Sequence, residues 1–175
     1  MMNGIILYKS KYGATKQYAD WIAERTGFSC IKTDNADVKK VSAYDVIILG
    51  GGIYASGIAG LSFLKKNIGK LKDKKIIVFC CGASPYEQTA YEAIVQYNFK
   101  GELAGIPCFY CRGTFDMSEM SFKDRTLCKM LRKAVAKKNP DEYEVWEKAL
   151  MAVGENEKGN WVDKSYLEAI YEAIG

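Results

Sequence analysis

The sequence predicts an α/β three-layer sandwich: a five-stranded parallel sheet of order 2-1-3-4-5, covered by helices on both faces, with a helical insertion after strand five. Three observations support this fold. Runs rich in Val, Ile and Leu alternate with segments whose apolar residues recur at helical spacing. The central runs are apolar throughout, as strands buried on both faces require. Several runs end in loops rich in glycine and hydroxyl side chains.

The elements follow one another in regular alternation, so neighbouring strands are expected to be parallel and joined by right-handed crossovers. The second strand carries Lys32 and the fifth contains Pro107, and both features are typical of sheet edges. The predicted strands span residues 5–9, 28–32, 45–49, 75–81 and 106–111, and the predicted helices span residues 15–26, 61–71, 88–98 and 163–174.

The composition is that of an ordinary globular protein. The chain has 175 residues, of which 49% are hydrophobic and 26% charged, and this predicts a single domain over residues 1–175 with the insertion at about residues 116–160. No apolar run approaches the roughly 20 residues of a membrane-spanning helix. The first residues lead straight into a strand without the pattern of a signal peptide, so a cytoplasmic location is expected.

The absence of histidine limits the chemistry available to this chain. It excludes Ser-His-Asp and Cys-His nucleophilic catalysis and histidine-based metal sites. Among the six cysteines, Cys108 and Cys111 form a CxxC pair. Residues three apart in a strand point to opposite faces, so core packing is favoured over a metal or redox role. Chemistry is therefore expected from a bound cofactor, with no metal site.

The loop after the first strand, Ser10-Lys11-Tyr12-Gly13-Ala14-Thr15, has the character of an anion site. Backbone N–H groups and the positive end of a helix dipole converge there, and hydroxyl groups can add donors. The loop lacks both the GK[ST] ending of a P-loop and the GxGxxG spacing, which indicates a single phosphate monoester. In the alternative interpretation, Ser10 or Thr15 only caps the helix.

Two further loops are expected to face the same crevice, because ligands of open α/β sheets bind where the strand order reverses. One is Gly50-Gly51-Gly52-Ile53-Tyr54-Ala55-Ser56-Gly57, and the other is Cys81-Gly82-Ala83-Ser84-Pro85-Tyr86. Each combines a flexible backbone with an aromatic side chain that could stack on a flat ring. Together the three loops indicate a phosphorylated planar heterocycle.

The pattern Tyr8-x-Ser10-x-Tyr12-Gly13-x-Thr15, with the two later loops, resembles the FMN site of flavodoxin-like proteins over nearly the whole chain. The Gly-Gly-x-Ile-Tyr-x-x-Gly loop and the insertion that closes with Trp161-Val162-Asp163 more narrowly resemble the family that includes menaquinone-dependent protoporphyrinogen oxidase. The resemblance implies a flavodoxin-like fold, FMN as the cofactor and a redox function.

The resemblance also implies a set of cofactor-binding residues. The phosphate would be held by Ser10, Lys11, Tyr12, Gly13, Ala14 and Thr15; the isoalloxazine ring would lie along Ile53, Tyr54, Ala55 and Ser56; its other side would be lined by Gly82, Ala83, Ser84 and Tyr86. Arg112 is expected near the carboxyl edge of the sheet, where a cation close to flavin N1 would raise the FMN potential.

The insertion carries most of the basic charge. The net charge is +4, yet residues 121–138 alone contain seven basic residues and one acidic residue. Apolar residues fall near one face of this predicted helix, which is either a solvated helix packed on the core or a helix that contacts an anionic membrane. The acidic segment 139–158 would neutralise its neighbour, with Trp146 and Leu150 packing inward.

Two functions remain after these observations. The first is an FMN-dependent oxidoreductase of the protoporphyrinogen-oxidase type that passes hydrogen to an acceptor such as a quinone. The second is an electron carrier between redox partner proteins, although such carriers are usually acidic. A phosphoacceptor receiver domain is excluded, because Gly50 stands where the third strand would need an aspartate. A nucleic-acid partner is not expected, since no nucleic-acid-binding fold is recognisable.

Overall fold

The central strand of the parallel sheet is the third strand of the chain, and the first strand lies beside it. The computed structural model describes residues 2–154 and 157–175, and in it the parallel strands follow the order β2-β1-β3-β5-β6. The strands of the described residues are β1 (Gly4–Lys9), β2 (Ser29–Lys32), β3 (Val46–Tyr54), β4 (Gly57–Ile58), β5 (Lys75–Gly82), β6 (Cys108–Arg112), β7 (Thr114–Asp116) and β8 (Lys158–Asn160).

The predicted α/β fold with a parallel sheet is confirmed, and the predicted five-strand description needs one correction. The sheet has six strands. Because β4 is now counted, the order of the parallel strands across the sheet is 2-1-3-5-6 rather than 2-1-3-4-5. The additional strand is β4, which pairs antiparallel with the end of β3 through Ile53–Ile58 and Tyr54–Gly57. It arises because β3 does not stop at Leu49 as predicted but continues through the three glycines to Tyr54.

Helices cover both faces of the sheet. One face packs against α1 (Ala14–Thr26) and α7 (Glu168–Ile174), and Ile6, Ile48 and Ile77 are buried there. The other face packs mainly against α3 (Ser62–Asn67) and α4 (Gln88–Asn98), and Ile47 and Leu49 are buried there. Adjacent strand residues point to opposite faces, so continuous apolar strands serve both layers at once. The helices are α1 (Ala14–Thr26), α2 (Val38–Val41), α3 (Ser62–Asn67), α4 (Gln88–Asn98), α5 (Phe122–Val135), α6 (Val145–Ala152) and α7 (Glu168–Ile174).

Two predicted helices are shorter than expected. The helix predicted over residues 61–71 is α3 followed by a 3₁₀ turn at Ile68–Lys70. The helix predicted over residues 163–174 begins with a 3₁₀ segment, Lys164–Leu167, and becomes α7 afterwards. Asp163 caps this segment by accepting a hydrogen bond from the Ser165 N–H at 2.7 Å. The cap fixes where the chain turns, and the tighter helix follows from it.

The cysteines of the CxxC pair lie on opposite faces of β6, as their spacing predicts. Cys108 belongs to the core beneath α3 and α4, and Cys111 to the core beneath α1 and α7. The Cys108 sulfur lies 3.8 Å from the Cys80 sulfur of the neighbouring strand. These thiols therefore pack as small apolar side chains.

The segment predicted as the insertion contains α5, α6 and β8, which pairs antiparallel with β7. Leu150 packs inward as expected, whereas Trp146 is 41% exposed. Within the acidic segment 139–158, Glu147 forms the expected neutralising pair with Lys138, and Glu155 lies outside the described residues. Among residues 2–154 and 157–175, no helix has the length and apolar character needed to cross a bilayer.

The glycine run of β3 allows a close backbone approach that a larger residue would block. A Cβ atom on Gly51 would lie 2.0 Å from the backbone oxygen of Ala59. We expect Gly51→Ala to lower the free energy of unfolding by about 1–3 kcal/mol, because the Ala59 backbone cannot move aside as a flexible side chain can. Urea unfolding followed by circular dichroism measures the change.

Gly69→Ala is the matched control, since a Cβ atom at Gly69 meets no atom within 4 Å. This change is expected to raise the free energy of unfolding by about 0.4–1 kcal/mol through the loss of unfolded-chain entropy. Equal stability of the two variants would contradict the close approach at Gly51.

Candidate functional site

The carboxyl ends of β1, β3 and β5 open into a cavity of about 420 Å³, within the range of small-molecule sites. All three predicted loops contribute to its wall, at the place where the strand order reverses. Ten of the fourteen predicted cofactor-binding residues line it: Ser10, Tyr12, Ala14, Thr15, Ile53, Tyr54, Ala55, Gly82, Ala83 and Ser84.

The first loop leaves the N-terminus of α1 without a side-chain cap. The cap position is Gly13, with φ at 99°, and no side chain in the described part of the chain caps the first turn by accepting a hydrogen bond. Ser10 instead accepts from the Gly13 N–H at 3.0 Å and so stabilises the loop. Thr15 is buried and lines the cavity. Neither hydroxyl caps the helix, and the free N–H groups of the first turn fit a phosphate group.

The second loop is a tight turn with strained backbone. Ala55 and Ser56 both have positive φ angles, 47° and 68°, at the centre of the turn between β3 and β4. Positive φ at both central positions is the geometry of a type I′ hairpin turn, and it costs of order 1–3 kcal/mol for each residue that is not glycine. Such strain is common where backbone is held close to a ligand.

Asn98, at the end of α4, supports this turn and was not predicted as a functional residue. Its side-chain amide donates to the Ser56 carbonyl at 2.7 Å, and its amide oxygen accepts from the Ile58 N–H at 3.1 Å. Asn98 is buried, so the two hydrogen bonds replace those that it would make to water. No local sequence signal marks a side chain that acts over 40 residues.

The third loop is fixed by contacts to consecutive carbonyls. The Gly113 N–H donates to Gly82 at 2.8 Å, the Arg112 Nε–H donates to Ala83 at 2.9 Å, and the Tyr110 hydroxyl donates to Ser84. These hydrogen bonds hold the backbone of Gly82, Ala83 and Ser84 in place at the cavity wall.

Four predicted residues do not line the cavity. Lys11 directs its ammonium group to Asp124 of α5, and Gly13 serves as the cap position of α1. The Ser56 carbonyl accepts a hydrogen bond from the Asn98 side chain. Tyr86 is 51% exposed and packs against Tyr91 and Tyr110, with ring centroids 5.6 and 6.1 Å away.

An aromatic residue from the end of the insertion lines the cavity although it was not predicted as a site residue. Trp161 lies in the cavity wall. Its ring leaves room only for glycine at position 159, because a Cβ atom added to Gly159 would lie 2.0 Å from the ring. The Arg112 guanidinium stacks on this ring at 4.0 Å. Arg112, expected near the flavin, is thus engaged with Trp161 and Ala83 and is not among the lining residues.

The insertion supplies the outer wall, and this wall is apolar. Asp124 is the one charged side chain among the described lining residues. The remaining contributions of α5 and α6 and of the turn before them are Met120, Leu127, Cys128, Leu131, Trp146, Ala149 and Leu150. The cavity therefore has a polar end at the first loop and an apolar end at the insertion.

The thiols near the site are held in the protonated form. Burial raises the pKa of Cys81, which lines the cavity, to about 12, and the nearby Thr15 hydroxyl offsets only part of this effect. Burial also raises the pKa of Cys128. Since the thiolate is the nucleophilic form, Cys81 is unsuited to nucleophilic or redox chemistry near neutral pH. Among the described residues, no group of three or more metal-ligating side chains is assembled.

The thiol environment gives a testable order of reactivity. At pH 8 only about one part in ten thousand of Cys81 is thiolate, given a pKa of about 12. We expect iodoacetamide to label the half-buried Cys30 and Cys128 while Cys81 stays unlabelled, as measured by peptide mass spectrometry. Urea-unfolded protein, in which all six cysteines react, is the control. Labelling of Cys81 at the rate of Cys128 would show that the thiol is not buried as described.

Comparisons with known proteins bear on the fold. The chain matches the family model described as Flavodoxin domain over residues 5–143. The WrbA-like flavodoxin of Agrobacterium tumefaciens is 21% identical with a TM-score of 0.51, covering 71% of this chain and 88% of that one. The FMN complex of a flavoprotein from Lactobacillus acidophilus is 18% identical with a TM-score of 0.46, covering 64% of this chain and 93% of that one.

A comparison with curated proteins gives no significant match. The similarity to the Agrobacterium structure supports the fold alone, because its identity is low. The family model extends from β1 to the segment between α5 and α6, and it therefore includes all three loops that meet at the cavity. This chain belongs to the flavodoxin domain family.

Proposed function

We propose that this chain binds FMN in the cavity and transfers electrons through it. The observation that carries the proposal is the polarity of the cavity: an uncapped helix N-terminus at one end, with aromatic and apolar walls beyond it. The first fits a phosphate and the second a flat ring system. When bound, FMN supplies the electron chemistry.

The residues of the chain would bind and orient the cofactor. Residues 10–15 hold the phosphate through N–H groups and the Thr15 hydroxyl. Ile53, Tyr54 and Ala55 lie along one side of the ring, and the Gly82–Ser84 segment along the other. The apolar wall of α5 and α6 excludes water from the ring. Arg112 acts on the flavin by holding Trp161 and the Ala83 carbonyl in place.

The phosphate assignment is tested by Thr15→Ala. A hydrogen bond to a charged group contributes about 1.5–3 kcal/mol, so the affinity for FMN should fall by about ten- to a hundredfold. Riboflavin lacks the phosphate, and its affinity should change by less than about threefold. Titration of the apoprotein with each flavin, followed by fluorescence, measures both constants.

Thr26→Ala, at the far end of α1, is the matched control and should leave both affinities unchanged. An equal loss of FMN and riboflavin in Thr15→Ala would contradict a phosphate site at this loop. Purified protein without a flavin absorption spectrum, whose apoprotein also fails to bind FMN, would refute the proposed function as a whole.

The apolar outer wall favours a small uncharged electron acceptor, and a quinone has this chemistry. With the resemblance of the second loop and the insertion to the protoporphyrinogen oxidase family, this supports an oxidoreductase of that type with a quinone-like acceptor. The second candidate is an electron carrier between redox proteins.

The basic helix supports a peripheral contact with an anionic membrane. Phe122 and Met130 are 85% and 63% exposed, and Leu127 and Leu131 extend this apolar surface to the rim of the cavity. Lysines that form no salt bridge with the described residues flank it, namely Lys123, Lys129, Lys133 and Lys137. Exposed apolar side chains flanked by lysines are typical of helices that lie on lipid.

Leu127→Glu and Met130→Glu separate the two roles of this surface, because only Leu127 lines the cavity. We expect Leu127→Glu to slow reoxidation of the photoreduced holoprotein by 2-methyl-1,4-naphthoquinone by about tenfold, the size of one lost apolar contact. Met130→Glu should stay within twofold of the wild type. Anaerobic stopped-flow absorbance measures the rates.

Ferricyanide needs no apolar pocket, and at high salt, where the added glutamate charge is screened, it should oxidise all three proteins at similar rates. Both substitutions should weaken flotation with phosphatidylglycerol vesicles, and phosphatidylcholine vesicles provide the uncharged control. An unchanged quinone rate in Leu127→Glu would favour the carrier function, and an unchanged flotation would remove the membrane contact.

A further inference from the structure

The insertion meets the cofactor loops at one charged contact. Asp124, in the first turn of α5, accepts hydrogen bonds from the Lys11 ammonium and the Tyr12 hydroxyl. The same ammonium lies 5.5 Å from the centroid of the Tyr12 ring and 5.7 Å from that of Tyr54. One cation therefore joins the loop after β1, the end of β3 and the insertion helix.

The Lys11 side chain is committed to this contact and not to the cavity. Ser10, Tyr12 and Ala14 line the cavity, and Lys11 does not. The hydrogen bond from Lys11 holds the pKa of the Asp124 carboxyl below its usual range, and the same bond raises the pKa of Lys11. Both groups stay charged over the physiological range, so the pair persists there.

The other polar contacts of α5 stay within the insertion or reach only the segment just before it. The Arg125 guanidinium donates to the carbonyls of Met117, Ser118 and Met120, and the Arg132 guanidinium donates to carbonyls at the end of α6. Among the hydrogen bonds of the described residues, those of Asp124 are the ones that tie α5 to the loop after β1.

We propose that Lys11 and Asp124 form a latch that holds α5, and with it the apolar wall of the cavity, against the cofactor loops. Both are positioning residues: the pair sets the place of Leu127 and Leu131 relative to the ring-binding loops. The latch rests on the proposed function in one respect, since FMN is taken as the ligand of the cavity that α5 covers. The contact itself is between two protein side chains and can be measured without the cofactor.

Hydrogen–deuterium exchange of the full-length apoprotein tests the latch. Lys11→Met and Asp124→Asn should each raise the exchange of α5 amides by roughly three- to fivefold, the size that a partly exposed ion pair supports. The double variant should exchange no faster than Asp124→Asn alone, because the loss of Lys11 removes nothing further once its carboxylate partner is gone. Lys16→Met and Asp20→Asn, the ion pair within α1, are the matched controls and should leave α5 unchanged.

Additive effects would overturn the latch, because Asp124→Asn would then act only through the helix N-terminus. Unchanged exchange in Lys11→Met would overturn it as well. The flavin titrations separate this from the proposed function: the ratio of FMN to riboflavin affinity should change by less than twofold in Asp124→Asn. A selective gain in FMN affinity in Asp124→Asn, or a selective loss in Lys11→Met, would overturn the latch, because the pair would then act on the phosphate and not on the position of α5.

Discussion

The reversal of strand order between β1 and β3 is the constraint on which the site depends. The chain leaves β1 toward one face, through α1, and leaves β3 toward the other, through the turn to β4 and α3. The two loops therefore separate and open a crevice between them. The free N-terminus of α1 and the strained turn at Ala55 border this crevice because of topology, and neither would meet a common ligand in a sheet without the reversal.

Much of this arrangement could be predicted from the sequence, because it depends on local patterns. The unbroken apolar strands gave the sheet, and the hydroxyl and glycine residues after β1 gave the loop that leaves α1 uncapped. Ten of the predicted cofactor-binding residues lie in the cavity wall for the same reason: the carboxyl ends of parallel strands share one edge. Backbone position follows from the order of elements, and the order can be inferred from hydrophobic periodicity.

Side-chain direction could not be predicted in the same way. Tyr86 and Lys11 lie in the expected loops, yet Tyr86 packs on two tyrosines and Lys11 pairs with a residue 113 positions away. Trp161 lines the cavity because β8 pairs with β7, and the two helices α5 and α6 separate these strands along the chain. Asn98 is a further case, since a polar residue at a helix end is usually interpreted as a surface residue.

The Asn98 amide limits how the turn beside the cavity can rearrange. It fixes the Ser56 carbonyl and the Ile58 N–H, while the pairing of β3 with β4 fixes Tyr54 against Gly57. Among the described residues, the peptide group between Ala55 and Ser56 has no such hydrogen bond. A reorientation of this turn is thus confined to the peptide group between Ala55 and Ser56, and both residues already have positive φ angles. The backbone strain of the turn therefore lies at the two residues that flank the peptide group without these hydrogen bonds.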